Sequence, residues 1–350
     1  ARLVKEHFAA HGVCSNAGLE VPVVAVGKLG YPDLAERALR EGACDLVMLA
    51  RPLLADPDWP RKAFAGQVDA IRPCIGDQEG CLNVFVHGGH IQCTVNPRTG
   101  LEDQLPRAPA PAPHAKRVAV VGAGPAGVTC ALAAAGRGHR VTLFERRARA
   151  GGMLIPGSVP RIKFDVANYL TYLDGRLQRA VREDGLVARF ETEATVDLLR
   201  VGAFDAAVLC TGGRPLAPPV EGIDLPHVVQ AMDLLVDPAL ADGAERVVVV
   251  GGGDVGCETA HFLVNELGKR VTVIEMLPYF MKASCTANRG YLIHYLEAQG
   301  VALWNCARLV RVEAGRAIVA RNVSPTVPSP YVTWTPVLPE YVVNPLARPI

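Results

Sequence analysis

The apolar residues of this chain gather in short continuous runs. VPVVAV (Val21–Val26) and CDLVMLA (Cys44–Ala50) are two of them, with the length and composition of strands covered on both faces in a parallel sheet. Between them, YPDLAERALREG (Tyr31–Gly42) carries its apolar positions at helical spacing, with Pro32 suited to a first turn and Gly42 to a C-terminus. Residues 1–66 thus predict strand, helix, strand, helix. Further on, RVAVV, VTLF, FDAAVLC, RVVVV and VTVI are apolar runs of strand length separated by helical stretches. That alternation predicts an α/β fold with parallel sheets.

One pattern occurs twice. RVAVVGAGPAG (Arg117–Gly127) and RVVVVGGGDVG (Arg246–Gly256) each run from an apolar strand into a glycine-rich turn and then a helix. Each is followed by a second strand ending in an acid, Glu145 in VTLFE and Glu275 in VTVIE. A lone G-x-G-x-x-G is weak evidence, but strand, turn, helix and a following acid together are the context of a dinucleotide-binding unit. Gly122 allows the tight turn, Gly124 lets backbone approach a pyrophosphate, and Gly127 lets the helix pack on the strand. The helix N-terminus offers free N–H groups to the anion, and Glu145 can accept from ribose hydroxyls. Gly251, Gly253, Gly256 and Glu275 fill the same roles in the second copy. A strand–helix turn without a ligand would explain one such pattern, but hardly two complete ones. Glu275 would repel a 2′-phosphate, and Met276 and Leu277 bring no arginine beside it. The expected nucleotide is therefore NADH, with NADPH still open because Lys282 lies nearby.

Charge and composition narrow the function. The formal net charge of the 350 residues is +1, so no bulk field attracts nucleic acid or anionic lipid. No apolar run is long enough to span a bilayer, and ARLVKEHF at the start lacks the apolar stretch of a signal peptide. The expectation is a cytoplasmic protein acting on a small molecule. The chain opens on Ala1, so a processed terminus and a fragment are both open. Ten cysteines in a long α/β chain suit a reducing compartment. Cys14, Cys44, Cys130, Cys210, Cys257, Cys285 and Cys306 are expected mostly as small core residues.

The other three cysteines lie in RPCIGDQEGCLNVFVHGGHIQCTVNP (Arg72–Pro97). Cys74, Asp77, Cys81 and Cys93 look like a four-ligand metal loop with one thiolate replaced by a carboxylate. His87 and His90 read as solvated loop residues, since the four positions are already filled. PRAPAPAPHAK (Pro106–Lys116) is a stiff Pro/Ala linker. After about Ala320, seven prolines preclude long regular elements.

These motifs resemble the NADH:flavin oxidoreductase and 2,4-dienoyl-CoA reductase family. The carriers are the nested glycine loops, FERRARAGGM (Phe144–Met153) and TGGRP after the strand FDAAVLC. The resemblance implies FAD at Gly122, Gly124, Gly127, Glu145 and Gly152, and NAD(P)H at Gly251, Gly253, Gly256 and Glu275. Thr211 and Gly212 would lie where the two units meet. VPVVAVGKLG and CDLVMLARPLLADPDWP resemble the last two strand–loop units of an old yellow enzyme-like FMN barrel, which implies an FMN phosphate site at Gly27, Lys28, Ala50 and Arg51. The family's cluster loop reads CxxCxxxC with a fourth cysteine twelve residues on. Cys74, Asp77, Cys81 and Cys93 match every position and differ only in the second ligand type. Four irons with Asp77 as a ligand, three irons with Asp77 idle, and no cluster are the readings, in that order, with zinc behind them.

The implied architecture is the C-terminal end of a TIM barrel (1–70), an iron–sulfur loop (71–105), a linker (106–116), the first part of an FAD unit (117–215), an NAD(P) unit (216–323) and an irregular tail (324–350). The implied function is NAD(P)H-dependent reduction of an activated C=C bond by way of FAD, a 4Fe-4S cluster and FMN. The catalytic residues would lie on barrel strands not found here. The family's returning Gly-Asp turn to FAD is likewise not found before Ile350, so this chain alone is expected to be inactive. The alternatives are an amine dehydrogenase or demethylase that runs electrons the other way, and an electron-transfer module like the glutamate synthase small subunit.

Overall fold

A computed structural model describes residues 1–332. Its strands form four separate sheets. In the front block, β1 (Val24–Val26) pairs in parallel with β2 (Leu46–Met48), joined by the helix Pro32–Arg40. Ala35, Trp59 and Ile71 form the core of this block, with Leu29, Val47, Leu49 and Leu53 packed around them. Only one face of the pair is covered. Val26, Leu46 and Met48 are more than half exposed, at 67, 54 and 55%. The expectation of strands covered on both faces is therefore corrected: two strands carry buried-strand residues, and nothing among the described residues packs on their second face.

The first large sheet has the order β5–β4–β3–β6, all parallel. Its strands are β3 (Arg117–Val121), β4 (Arg140–Phe144), β5 (Val187–Arg189) and β6 (Ala206–Leu209). Val118, Val120, Val141 and Leu143 join Val128 and Ala131 of the helix Pro125–Gly136, and Leu173 and Leu177 of the helix Phe164–Glu183, in one core. The chain leaves β3 toward β4 and later returns to the other side of β3 as β6. The crevice at the carboxyl ends of β3 and β6 is therefore a topological switch point, where open α/β sheets bind ligands.

The second large sheet is β7 (Arg246–Val250), β8 (Arg270–Ile274) and β9 (Ala302–Trp304), also parallel. The helices Asp254–Asn265 and Thr286–Ala298 share its core through Cys257, Ala260, Leu263, Leu292, Ile293 and Leu296. An antiparallel hairpin follows, β10 (Ala307–Glu313) and β11 (Arg316–Arg321), with a register shift between Leu309 and Arg311. Residues 324–332 are turns and irregular chain; the rest of the expected irregular tail lies outside the described residues. No helix among the described residues is long and apolar enough to cross a membrane.

Candidate functional site

The two glycine loops are built alike, residue for residue. Gly122 and Gly251 end their strands at φ +99° and +104°, a region that L side chains rarely enter. The N–H of each closes onto the strand that follows, Gly122 on the Phe144 carbonyl at 2.8 Å and Gly251 on the Ile274 carbonyl at 2.9 Å. A Cβ on Gly127 would stand 1.7 Å from the Gly122 carbonyl oxygen, and one on Gly256 would stand 1.9 Å from that of Gly251. Only glycine allows the helix this close. Gly253 is different, with open space where a Cβ would go, and a Cβ on Gly124 would meet only the Gly152 Cα, in ordinary contact at 3.9 Å. Gly152 faces Gly124 across the first loop, at φ +53°.

The paired acids lock these loops. Glu145, 8% exposed, accepts from the Ala123 N–H at 2.8 Å with one oxygen and from the Arg147 N–H at 2.9 Å with the other. Glu275 accepts from the Gly252 and Leu277 N–H groups, both at 2.7 Å. A carboxylate oxygen has two acceptor positions, so each acid can hold its loop and still accept from a ribose. Cys210 brings the TGG turn against the first loop, its N–H on the Val121 carbonyl at 2.8 Å. Thr211 and Gly212 therefore sit at the switch point beside Gly122. The two nucleotide units are joined by the ion pair of Lys163 with Glu258, which the sequence did not single out.

In the front block, Gly27 and Lys28 follow β1, and Ala50 and Arg51 follow β2. Parallel pairing brings these four residues side by side. The Lys28 ammonium pairs with Asp165 at the start of the helix Phe164–Glu183, yet its side chain stays 60% exposed to the cleft, and it lies 4.8 Å from the Phe164 ring centroid. The other oxygen of buried Asp165 accepts from the Tyr31 hydroxyl at 2.7 Å. Burial pushes the Tyr31 phenol well above its usual range, and the adjacent Asp165 adds to that. Nothing local in the sequence signals Asp165, because its partners are more than 130 positions away. Lys28, Tyr31, Arg51, Arg72 and Asp165 line an open cleft.

Arg51 also borders a second cavity, which all four proposed ligands line: Cys74, Asp77, Cys81 and Cys93. Its remaining walls include Leu54, Ile75 and Val95, and its space is about 280 Å³ with the open side counted. Asp77 accepts from the Thr94 hydroxyl at 2.5 Å. Burial raises the Cys74 and Cys93 thiols, while Arg51 draws Cys74 partly back. Among the described residues, no three His, Cys, Asp or Glu side chains converge as a single ion requires. His87 and His90 face backbone carbonyls, those of Asn83 and Gly100. The turn Gly76–Glu79 at the edge of this cavity is gripped by the second nucleotide unit. Asn288 donates to the Asp77 carbonyl at 2.6 Å and accepts from the Gln78 side-chain Nε2 at 2.8 Å, and the Cys285 N–H donates to Glu79 at 2.6 Å.

Comparison with known proteins agrees with these loops. Residues 116–324 match the family described as pyridine nucleotide-disulphide oxidoreductase. An NADH oxidase of Thermoanaerobacter brockii is 38% identical over 306 residues, 81% of this chain and 46% of the relative. A cinnamate reductase of Clostridium sporogenes is 34% identical over 80% of this chain and 41% of its own length. The solved structure of a 2-naphthoyl-CoA reductase with 2-naphthoyl-CoA is 30% identical, with a TM-score of 0.80 over 87% of this chain and 45% of that one. The chain thus spans a little under half the length of these relatives. It belongs to the pyridine nucleotide-disulphide oxidoreductase family, with FAD and nicotinamide-nucleotide units, in the branch of the 2-enoate and dienoyl-CoA reductase-like flavoproteins.

Proposed function

We propose that this chain is the nucleotide-binding and electron-relay part of an NADH-dependent flavin oxidoreductase that reduces an activated C=C bond, of the enoate or enoyl-CoA kind. The observation that carries this reading is a single chain that holds two matching, acid-locked glycine loops together with a cavity lined by three thiols and a carboxylate. Likeness to proteins named for cinnamate and 2-naphthoyl-CoA supports the substrate class.

In this reading Gly122, Gly124, Gly127, Glu145, Gly152, Thr211 and Gly212 hold FAD, and Gly251, Gly253, Gly256 and Glu275 hold NADH. The donor set suits an iron–sulfur cluster: the cavity brings three thiols and a carboxylate together with apolar walls at Leu54, Ile75 and Val95, and thiols give thiolates when a cation binds. Cys74, Asp77, Cys81 and Cys93 would be its ligands. Gly27, Lys28, Ala50 and Arg51 would hold an FMN phosphate, with Arg51 between that phosphate and the cluster cavity. Bound at these residues, the groups would supply hydride chemistry at the nicotinamide and the flavins and single-electron transfer at the cluster.

The test is anaerobic NADH oxidation by the full-length protein with cinnamate or a 2-enoyl-CoA as acceptor. One NADH consumed per double bond reduced is expected. A protein that oxidises an N-methylamine, and oxidises no NADH with any enoate, overturns the reading.

A further inference from the structure

We propose that Asn288 is a positioning residue for the one cluster ligand that is not a cysteine. This rests on the reading that the cysteine cavity takes an iron–sulfur cluster. The turn Gly76–Glu79 carries Asp77 between two left-handed residues, Gly76 at φ +70° and Gln78 at φ +65°. Gln78 is not a glycine, so its conformation has to be imposed by its surroundings. The Asn288 side chain imposes it from both sides. Its amide N–H group donates to the Asp77 carbonyl at 2.6 Å and reaches the Gly76 carbonyl at 3.4 Å, while its oxygen accepts from the Gln78 side-chain Nε2 at 2.8 Å.

The next residue of the turn is held from the same helix end. Glu79 accepts from the Cys285 N–H at 2.6 Å with one oxygen, and from Asn83 at 2.8 Å with the other. Thr94 fixes the Asp77 carboxylate at 2.5 Å, so the backbone of Asp77 is set by Asn288 and its side chain by Thr94. The hydrogen bonds of Asn288 to this loop go to residues 76 to 78 alone and reach none of the three cysteines. Its effect therefore falls on the carboxylate corner. A carboxylate is a harder and weaker ligand for iron in a cluster than a thiolate. That corner depends most on being held in place, and hydrogen bonds behind a ligand commonly change metal affinity by about 10–100-fold.

Full-length protein is the material for the test, with Asn288→Asp as the deciding variant. It keeps the shape of the side chain and its acceptor for Gln78, but removes the donor to the Asp77 carbonyl. Release of iron to a ferrous chelator should then show one iron leaving about tenfold faster than in the parent and the rest unchanged. The low-temperature paramagnetic signal should move from the four-iron to the three-iron type. Combined with Asp77→Cys, the same change should have little effect, because a thiolate holds that corner without help. Parent-like release from Asn288→Asp in a protein that carries iron overturns the proposal and leaves the cluster reading intact. A parent without iron overturns the cluster reading, and the proposal with it.

Discussion

Gly253 and Gly256 stand three residues apart in one loop, and a methyl group would do different things to each. At Gly253 nothing lies within 4 Å of where the Cβ would go, so Gly253→Ala should fold normally. The methyl would occupy the space a pyrophosphate needs, and NADH titration should show binding lost with the melting temperature unchanged. Gly256→Ala drives its Cβ into the Gly251 carbonyl at 1.9 Å and should cost at least the 1–3 kcal/mol typical of overpacking, about 3 kcal/mol or more here because backbone has to move. Glu275 supports a second prediction. In the proposed nicotinamide site its charge would meet a 2′-phosphate, so kcat/KM of the full-length protein should favour NADH over NADPH. Glu275→Gln keeps one loop hydrogen bond, and should narrow that preference about tenfold, the equivalent of one charged contact. At Asp77 the prediction is in iron counts. Parent and Asp77→Cys should hold about four irons and Asp77→Ala about three, with one protein ligand per iron. Four irons in the alanine variant would remove Asp77 from the ligand set.

At the scale of elements, what could be read in the sequence was what is local. Each glycine loop with its acid spans some thirty positions, and the physics of tight turns and close helix packing acts within that span. The residue types therefore carry the geometry. The four positions of the cysteine segment are local in the same way, and they line one cavity. The hairpin β10–β11 is not evident from the sequence: ARLVRVEAGRAIVAR alternates around Gly315, but its apolar positions also suit a continuation of the preceding α/β pattern. The exposure of β1 and β2 cannot be read from their sequence, since run composition reports what a strand can bury and not what covers it. The Asp165 contacts had no local trace at all. They predict a difference between partners: Asp165→Ala deprives Tyr31 of its buried acceptor and should lower stability by about 1–3 kcal/mol in denaturant unfolding. Lys28→Met removes an ammonium whose side chain is 60% exposed and should change stability by less than about 1 kcal/mol.

At the scale of the whole molecule, the cysteine segment is shared property. Cys74, Ile75, Cys93 and Val95 pack into the core of the first nucleotide sheet, and Gly76 lies against Asp165. Its next residues hang on Asn288 and Cys285, beside the second sheet. Ser284 in turn donates to Asp254, at the start of the helix that leaves the second glycine loop. Two nucleotide units with separate cores would ordinarily melt as two events, because multi-domain chains depart from two-state behaviour. A segment wedged into both means that neither can come apart without stripping contacts from the other. The turn at Gly76–Glu79 therefore acts as a cooperativity element, and scanning calorimetry should record one merged endotherm that splits into two when Asn288 and Glu79 are both replaced by alanine.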